Sequence, residues 1–113
     1  MRYALFVCAD ENEELSEEQI HERLEAFMSF QADMEARGAL VTLQRLQTTS
    51  TATKVRKRDG SLVVADGPFA ETREQIAGFY VLECEDLDEA LEFAARNPAA
   101  EFGTVEVRPV WAG

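Results

Sequence analysis

The stretch DGPFAETRE, Asp66 to Glu74, gathers three carboxylates, a guanidinium, a hydroxyl and an aromatic ring into nine residues. A plain connector between two strands needs roughly two to five residues, so a segment of this length and chemistry invites a functional reading. Asp66-Gly67-Pro68 sets a sharp turn, because glycine permits unusual dihedrals and proline fixes the next one. Phe69 is expected to pin the loop to the body, and Glu71 to Gln75 to form one helical turn. Two readings of Asp66 stand side by side. In one, its carboxylate caps backbone amides and Glu71 pairs with Arg73 or Arg108. In the other, Asp66 sits at the mouth of a cleft as a general base or ligand anchor, its pKa raised by partial burial. Arg108 would then bind a ligand carboxylate, and Tyr3 and Tyr80 would supply hydroxyls and stacking surface. Glu71 and Arg73 complete this candidate ligand-binding set. No Ser-His-Asp set, phosphate loop or metal cluster competes with it, and no metal or organic cofactor is expected.

The remaining reactive side chains read as structural. His21 is the sole histidine and sits in the acidic helical start SEEQIHERLE, where it is a solvated surface residue. Cys8 and Cys84 lie in different apolar strands outside any CxxC spacing, which makes them buried thiols and not a zinc or redox motif. The formal net charge is −11, from 11 basic and 22 acidic residues. Such a surface repels nucleic-acid backbones and anionic membranes. The basic cluster KVRKRDG, Lys54 to Gly60, fits a solvated hairpin edge, where Lys and Arg discourage edge-to-edge pairing. No apolar run approaches the roughly 20 residues that span a membrane. The opening MRYALFVCADENEEL lacks a small-residue cleavage site and reads as a first strand, so a cytoplasmic location is expected.

These residues are positioned by a readable series of elements. RYALFVCA is apolar at both alternating sets, the mark of a strand buried on both faces. Ser16 with Gln19 three residues later forms a capping box for a first helix of about 21 residues. Ile20, Leu24, Phe27, Met28 and Met34 recur along it as a core stripe, and Arg37-Gly38 ends it. ALVTLQRL is a strand, and QTTSTAT a loop or bulged strand. TKVRKRDGSLVVAD is a hairpin about Asp59-Gly60. IAGFYVLECE is the strongest strand, with Ile76, Tyr80, Leu82 and Cys84 facing one way and Ala77, Phe79 and Val81 the other. Asp86 and Glu89 start a second helix, with Leu87, Ala90, Leu91 and Ala94 as its apolar stripe, and Pro98 stops it. GTVEVRPVWAG closes the chain as a strand with Val105 and Val107 inward and Pro109 at its end.

The order β-α-β-(β-hairpin)-β-α-β spans residues 1–113 as a single α+β domain of ferredoxin-like type, with two helices on one face of an antiparallel sheet. Two helices cover one face, yet the strands at 3–8 and 76–84 look apolar on both. A bare apolar sheet face is unusual in a monomer, so a homodimer with sheets packed face to face, a dimeric α+β barrel, is expected. A cleft between the sheets or beneath a rim loop would hold a small ligand.

The stretches ATKVRKRDGSLVVADGPF and DGPFAETREQIAGFYVLECEDLDEALEFAARNPAAEFGTVEVRPV, with the opening MRYALFV, resemble the DGPF-type branch of the YCII-related family over nearly the whole chain. The resemblance implies the dimeric α+β barrel. It implies no settled activity, although some broader members look like lyases or dehalogenating enzymes acting on small ring compounds. DGPF-type proteins are often encoded beside extracytoplasmic-function sigma factors, which makes a sigma-factor-related partner the alternative to a small-molecule ligand. The broader family carries a histidine–aspartate pair, its histidine about three turns before the glycine that ends the first helix. Counting back from Gly38 reaches Phe27; His21 lies more than a turn too early, and Asp66 is the better match for the aspartate. Two functions follow: a cofactor-independent enzyme working by proton transfer, lyase- or isomerase-like, or a non-catalytic ligand-sensing or protein-interaction module.

Overall fold

The computed structural model describes residues 1–113. Strand β1 (Arg2–Ala9) is central to it, pairing antiparallel with β5 (Gln75–Glu83) on one side and β6 (Thr104–Pro109) on the other. Strand β2 (Leu40–Arg45) pairs with the far edge of β5, so the sheet order is β2-β5-β1-β6. Helices α1 (Glu17–Ala36) and α2 (Leu87–Arg96) form the crossovers of this mixed α+β, ferredoxin-like arrangement.

Local chemistry sets the helix ends as the sequence foretells. The Ser16 hydroxyl accepts from the Gln19 N–H at 3.1 Å, and the Gln19 side chain accepts from the Ser16 N–H at 2.9 Å. This reciprocal pair satisfies two of the donors a helix start leaves orphaned. Gly38 follows Arg37 at φ 69°, the left-handed stop expected of it. On α2 the Asp86 carboxylate accepts from the Glu89 N–H at 2.9 Å. Pro98 ends that helix and also begins a short one, α3 (Ala99–Phe102), absent from the sequence reading.

The core lies between the sheet and the helices. Tyr3, Leu5 and Val7 of β1 and Tyr80 and Leu82 of β5 meet Phe30 and Met34 of α1 and Ala90, Phe93 and Ala94 of α2. Phe30 packs edge-on against Tyr80 with ring centroids 5.2 Å apart. Each fully buried large side chain here contributes roughly 1.5–3 kcal/mol of transfer free energy. Asp33 joins the two long helices, accepting from Arg37 at 2.9 Å and Arg96 at 3.4 Å.

Several expected facings change. In β5, Gly78 pairs with Val7 and Ile76 with Cys8, so Ala77 is an extra residue. One inserted residue reverses the alternation. Ile76 therefore joins Cys8 on the face away from the helices and does not follow Tyr80, Leu82 and Cys84. Gly78 suits this crossing, since a Cβ there would lie 2.7 Å from the Gln44 carbonyl. On α2, the small Ala90 and Ala94 let the helix approach the sheet, Phe93 turns inward, and Leu87 and Leu91 stay half exposed. On α1, Phe30 and Met34 are buried, while Ile20, Leu24 and Met28 are not.

The hairpin of β3 (Thr53–Arg58) and β4 (Ser61–Asp66) forms a separate two-stranded sheet. Its turn has Asp59 at φ 51° and Gly60 at φ 77°, the double left-handed conformation that matches strand twist. The chain spans 48 × 44 × 18 Å with a radius of gyration of 16.1 Å, above the roughly 13 Å of a compact domain of this length. The hairpin is an arm, and the body is thin. No helix is long and apolar enough to cross a membrane. The helix-free sheet face presents Ala4, Phe6, Phe79 and Val81, each partly exposed, with the Phe6 and Phe79 rings 6.4 Å apart.

Candidate functional site

Asp66 is the last residue of β4, opposite Thr53, and it is exposed. The turn beneath it is held by the backbone: the Gly67 N–H donates to the Ala52 carbonyl at 2.8 Å, with Gly67 at φ 100°. The amide capping expected of Asp66 is thus supplied by Ala52. Phe69 does not pin the loop, being 83% exposed. Its one aromatic contact is the Arg56 guanidinium, 6.0 Å from the ring centre. Glu71 and Arg73 are exposed, and residues 69–74 bend without forming the expected helical turn. The second half of the loop is tied down. The Thr72 hydroxyl donates to the Glu74 carbonyl, Gln75 donates to the Thr72 carbonyl, and the Thr104 hydroxyl donates to the Glu74 carboxylate at 2.7 Å.

Arg108 lies on the helix-free face, paired with Glu106 at 2.5 Å and 5.6 Å from the centre of the Phe6 ring. Its charge is therefore taken by Glu106, where pairing with Glu71 was one expectation. Near it, the Cys8 thiol is pushed up by burial and by Glu106 and Glu74. Cys84 is pushed up in the same way by burial and Glu89. His21 is exposed on α1, 3.1 Å from Glu25. Tyr3 is 3% exposed inside the core. The fold thus leaves Asp66, Glu71 and Arg73 on the arm and its loop, Arg108 on the bare face, and Tyr3 and Tyr80 on the helix side.

What the fold does build is a cleft of about 320 Å³ between the first turns of α1 and the β2–β5 edge. One wall is Ile20, Leu24, Phe27 and Met28; the other is Leu43, Leu46 and the bulge at Ala77 and Gly78. The residues read as a core stripe are therefore largely a cleft wall. Of the sequence-derived candidates only Tyr80 lines it. Burial pushes the Tyr80 phenol above its ordinary value, while Asn97 and Arg45 pull part of that back. Asn97 is 1% exposed; its side-chain oxygen accepts from the Ala99 N–H at 3.0 Å, and its Nδ2 makes no bond of full hydrogen-bond geometry.

Two arginines complete the rim. Arg23 lies 3.7 Å from the centre of the Phe102 ring and is bidentate to Glu13 at 3.1 and 3.2 Å, so its charge is matched. Arg45, at the end of β2, is exposed and has no acidic partner. Phe27, the position where the resemblance expects a histidine, faces the cleft and packs edge-on against Phe102, 6.1 Å between centroids. The cleft holds no carboxylate and no imidazole among its lining residues. Arg23, Gln31 and Arg45 escaped the sequence reading, because nothing local marks residues from two separate elements as neighbours. No three His, Cys, Asp or Glu side chains are grouped to hold a metal ion.

A family model described as the YCII-related domain matches residues 1–112. An uncharacterized protein of Rhizobium meliloti (strain 1021) is 47% identical over 75 residues, which cover 65% of this chain and 60% of that one. The matched stretch thus spans less than two thirds of that relative. Among solved structures, the 5-chloro-2-hydroxyhydroquinone dehydrochlorinase of Burkholderia phenoliruptrix AC1100, in complex with 2,5-dihydroxybenzoquinone, is similar with a TM-score of 0.55. The match covers 100% of this chain and 96% of that one at 13% identity, a likeness of fold.

Proposed function

This chain belongs to the YCII-related family, and from that premise we propose that it is a small-molecule-binding protein whose site is the cleft under α1. The observation that carries the reading is an apolar cleft of about 320 Å³ with the unpartnered Arg45 guanidinium among its lining. Ligand sites have this composition: mostly apolar walls and a few placed polar groups that fix orientation. The occupant is a single-ring or similarly compact molecule carrying an anionic or ketonic oxygen. Its ring rests on Leu24, Phe27 and Leu43, and its oxygen meets Arg45.

Proton transfer would need a carboxylate or imidazole at the bound molecule. Within one chain Asp66 and His21 lie outside the lining, and Phe27 stands where an imidazole is expected, so the geometry supports binding ahead of catalysis. The helix-free face, with Phe6, Phe79 and Val81 part-exposed, supports a second copy packed against it.

An amide-resolved NMR titration with hydroxybenzoates and 2,5-dihydroxybenzoquinone tests the cleft. Saturable shifts at Leu24, Phe27, Leu43 and Tyr80 are expected, and Arg45→Ala should weaken an acidic ligand by about tenfold, the worth of a hydrogen bond to a charged group. Shifts confined to Arg108 and the Asp66–Glu74 loop would instead return the site to those residues.

A further inference from the structure

The arm is the part of the molecule that nothing in its own chain explains. Neither β3 nor β4 packs broadly on another element. A two-stranded hairpin alone is marginal in water, yet this one displays large aliphatic side chains. Cross-strand pairing sorts them by face. Val55 opposes Val64 and Lys57 opposes Leu62, so Val55, Leu62 and Val64 share one side with Thr53, Lys57 and Asp66. They are 62%, 62% and 58% exposed. The other side carries Lys54, Arg56 and Arg58 with Val63 and Ala65.

Charge selects what can cover this arm. Residues 53–66 hold four basic and two acidic side chains, which leaves seven basic and twenty acidic for the rest of the chain. Two arms repel each other, whereas an arm and a body attract. The exposed acids Glu17, Glu18, Glu22 and Glu25 stand along α1, and a matching negative surface is present on every copy. We infer that the β3–β4 arm is an interchain clasp: it lies on the acidic body of a second copy of this chain, with Val55, Leu62 and Val64 buried in the contact, Lys57 beside them meeting that copy's carboxylates, and Lys54, Arg56 and Arg58 on the arm's outer side. Asp66 shares the aliphatic side, so it comes to the seam between the chains. The DGPF turn then serves to aim the arm.

The inference rests on the second copy proposed for the bare sheet face, and the experiment separates the two. Sedimentation equilibrium is run on wild type, Val64→Asp on the arm and Val81→Asp on the sheet face, with circular dichroism confirming that each is folded. Wild type should be a dimer that weakens as salt rises. Val64→Asp should weaken self-association by about 100-fold, since it places an unpaired carboxylate in an apolar contact, and should keep wild-type ellipticity. A photo-crosslinking residue at Leu62 should give a product of twice the chain mass. A dimer that Val81→Asp dissociates and Val64→Asp leaves intact overturns the clasp alone. A dimer that only Val64→Asp dissociates supports the clasp and removes the sheet-face reading. A wild-type monomer at all concentrations, or crosslinks confined to one chain, overturns the clasp.

Discussion

From Phe30 onward α1 is pressed against the sheet; over its first three turns the same helix stands away from it. Phe30 is 4% exposed and Met34 0%, whereas Ile20, Leu24 and Met28 are 46%, 40% and 68% exposed. The apolar period is the same in both halves. The difference lies in what holds each end. The closed half is anchored by Asp33 between Arg37 and Arg96 and by the Ala39 backbone, whose carbonyl accepts from the Glu83 N–H at 2.8 Å. The open half is propped by Phe27 and Arg23 on the Phe102 ring. An apolar stripe therefore says which side of a helix avoids water, and the anchoring of its ends decides whether that side becomes core or cleft.

The contrast can be broken most severely at Met34. Met34→Ala should lose about 2–5 kcal/mol in urea unfolding, because it opens a cavity in closed packing. Met28→Ala, six residues earlier on the open side, should change stability by only about 0.5 kcal/mol or less; equal losses would mean that the cleft is closed in solution. Second in size is Tyr80→Phe. It should cost about 1 kcal/mol in urea unfolding, the order of one buried hydroxyl's net contribution, while the edge-on Phe30 contact persists. Leu24→Trp sharpens the comparison from the other direction. It should fill the cleft and abolish the NMR shifts caused by ring compounds, with a stability change of about 1 kcal/mol or less, because a side chain that is already part-exposed has room.

The smallest expected effect is pH-dependent. Arg37 hydrogen-bonded to Asp33, with Arg96 nearby, holds that carboxyl below its usual value. A depressed carboxylate adds stability above its unfolded pKa of about 4 and loses it as pH falls through the lower folded value. Asp33→Asn should thus melt slightly below wild type at pH 7, and the gap should close as the solution is acidified below pH of about 4. A gap that is constant with pH would assign the effect to shape instead of charge.

Much of this scaffold is legible residue by residue. Ser16 with Gln19, Asp86, Gly38 and the Asp59-Gly60 pair each act on atoms a few positions away, so their effects can be read without knowing the fold. The α+β, ferredoxin-like class follows from the alternation of elements, whereas the order β2-β5-β1-β6 is set by pairings between distant strands. What escaped depends on distant partners. Ala77 becomes a bulge only because β1 opposes it in that register, and Phe93 turns inward only because Ala90 and Ala94 bring α2 close. The candidate site was harder still. Asp66 and Arg108 each have chemistry suited to a ligand, but one belongs to the arm and the other is taken by Glu106. Tyr80 was legible as a strand residue with a hydroxyl; its company with Arg45 and Asn97 required three separate elements to meet.

The thinness of the body has a calorimetric consequence. Only 15 of 113 residues are buried, in a slab 18 Å across. Unfolding an isolated chain would hydrate little new apolar surface, so its heat-capacity increment should fall below the usual ~12–15 cal/mol/K per residue and its stability curve should be flat. Assembly would deepen the same core without changing a residue. If copies assemble, the increment per chain should rise with protein concentration, which makes heat capacity a test of whether a neighbour supplies part of this interior.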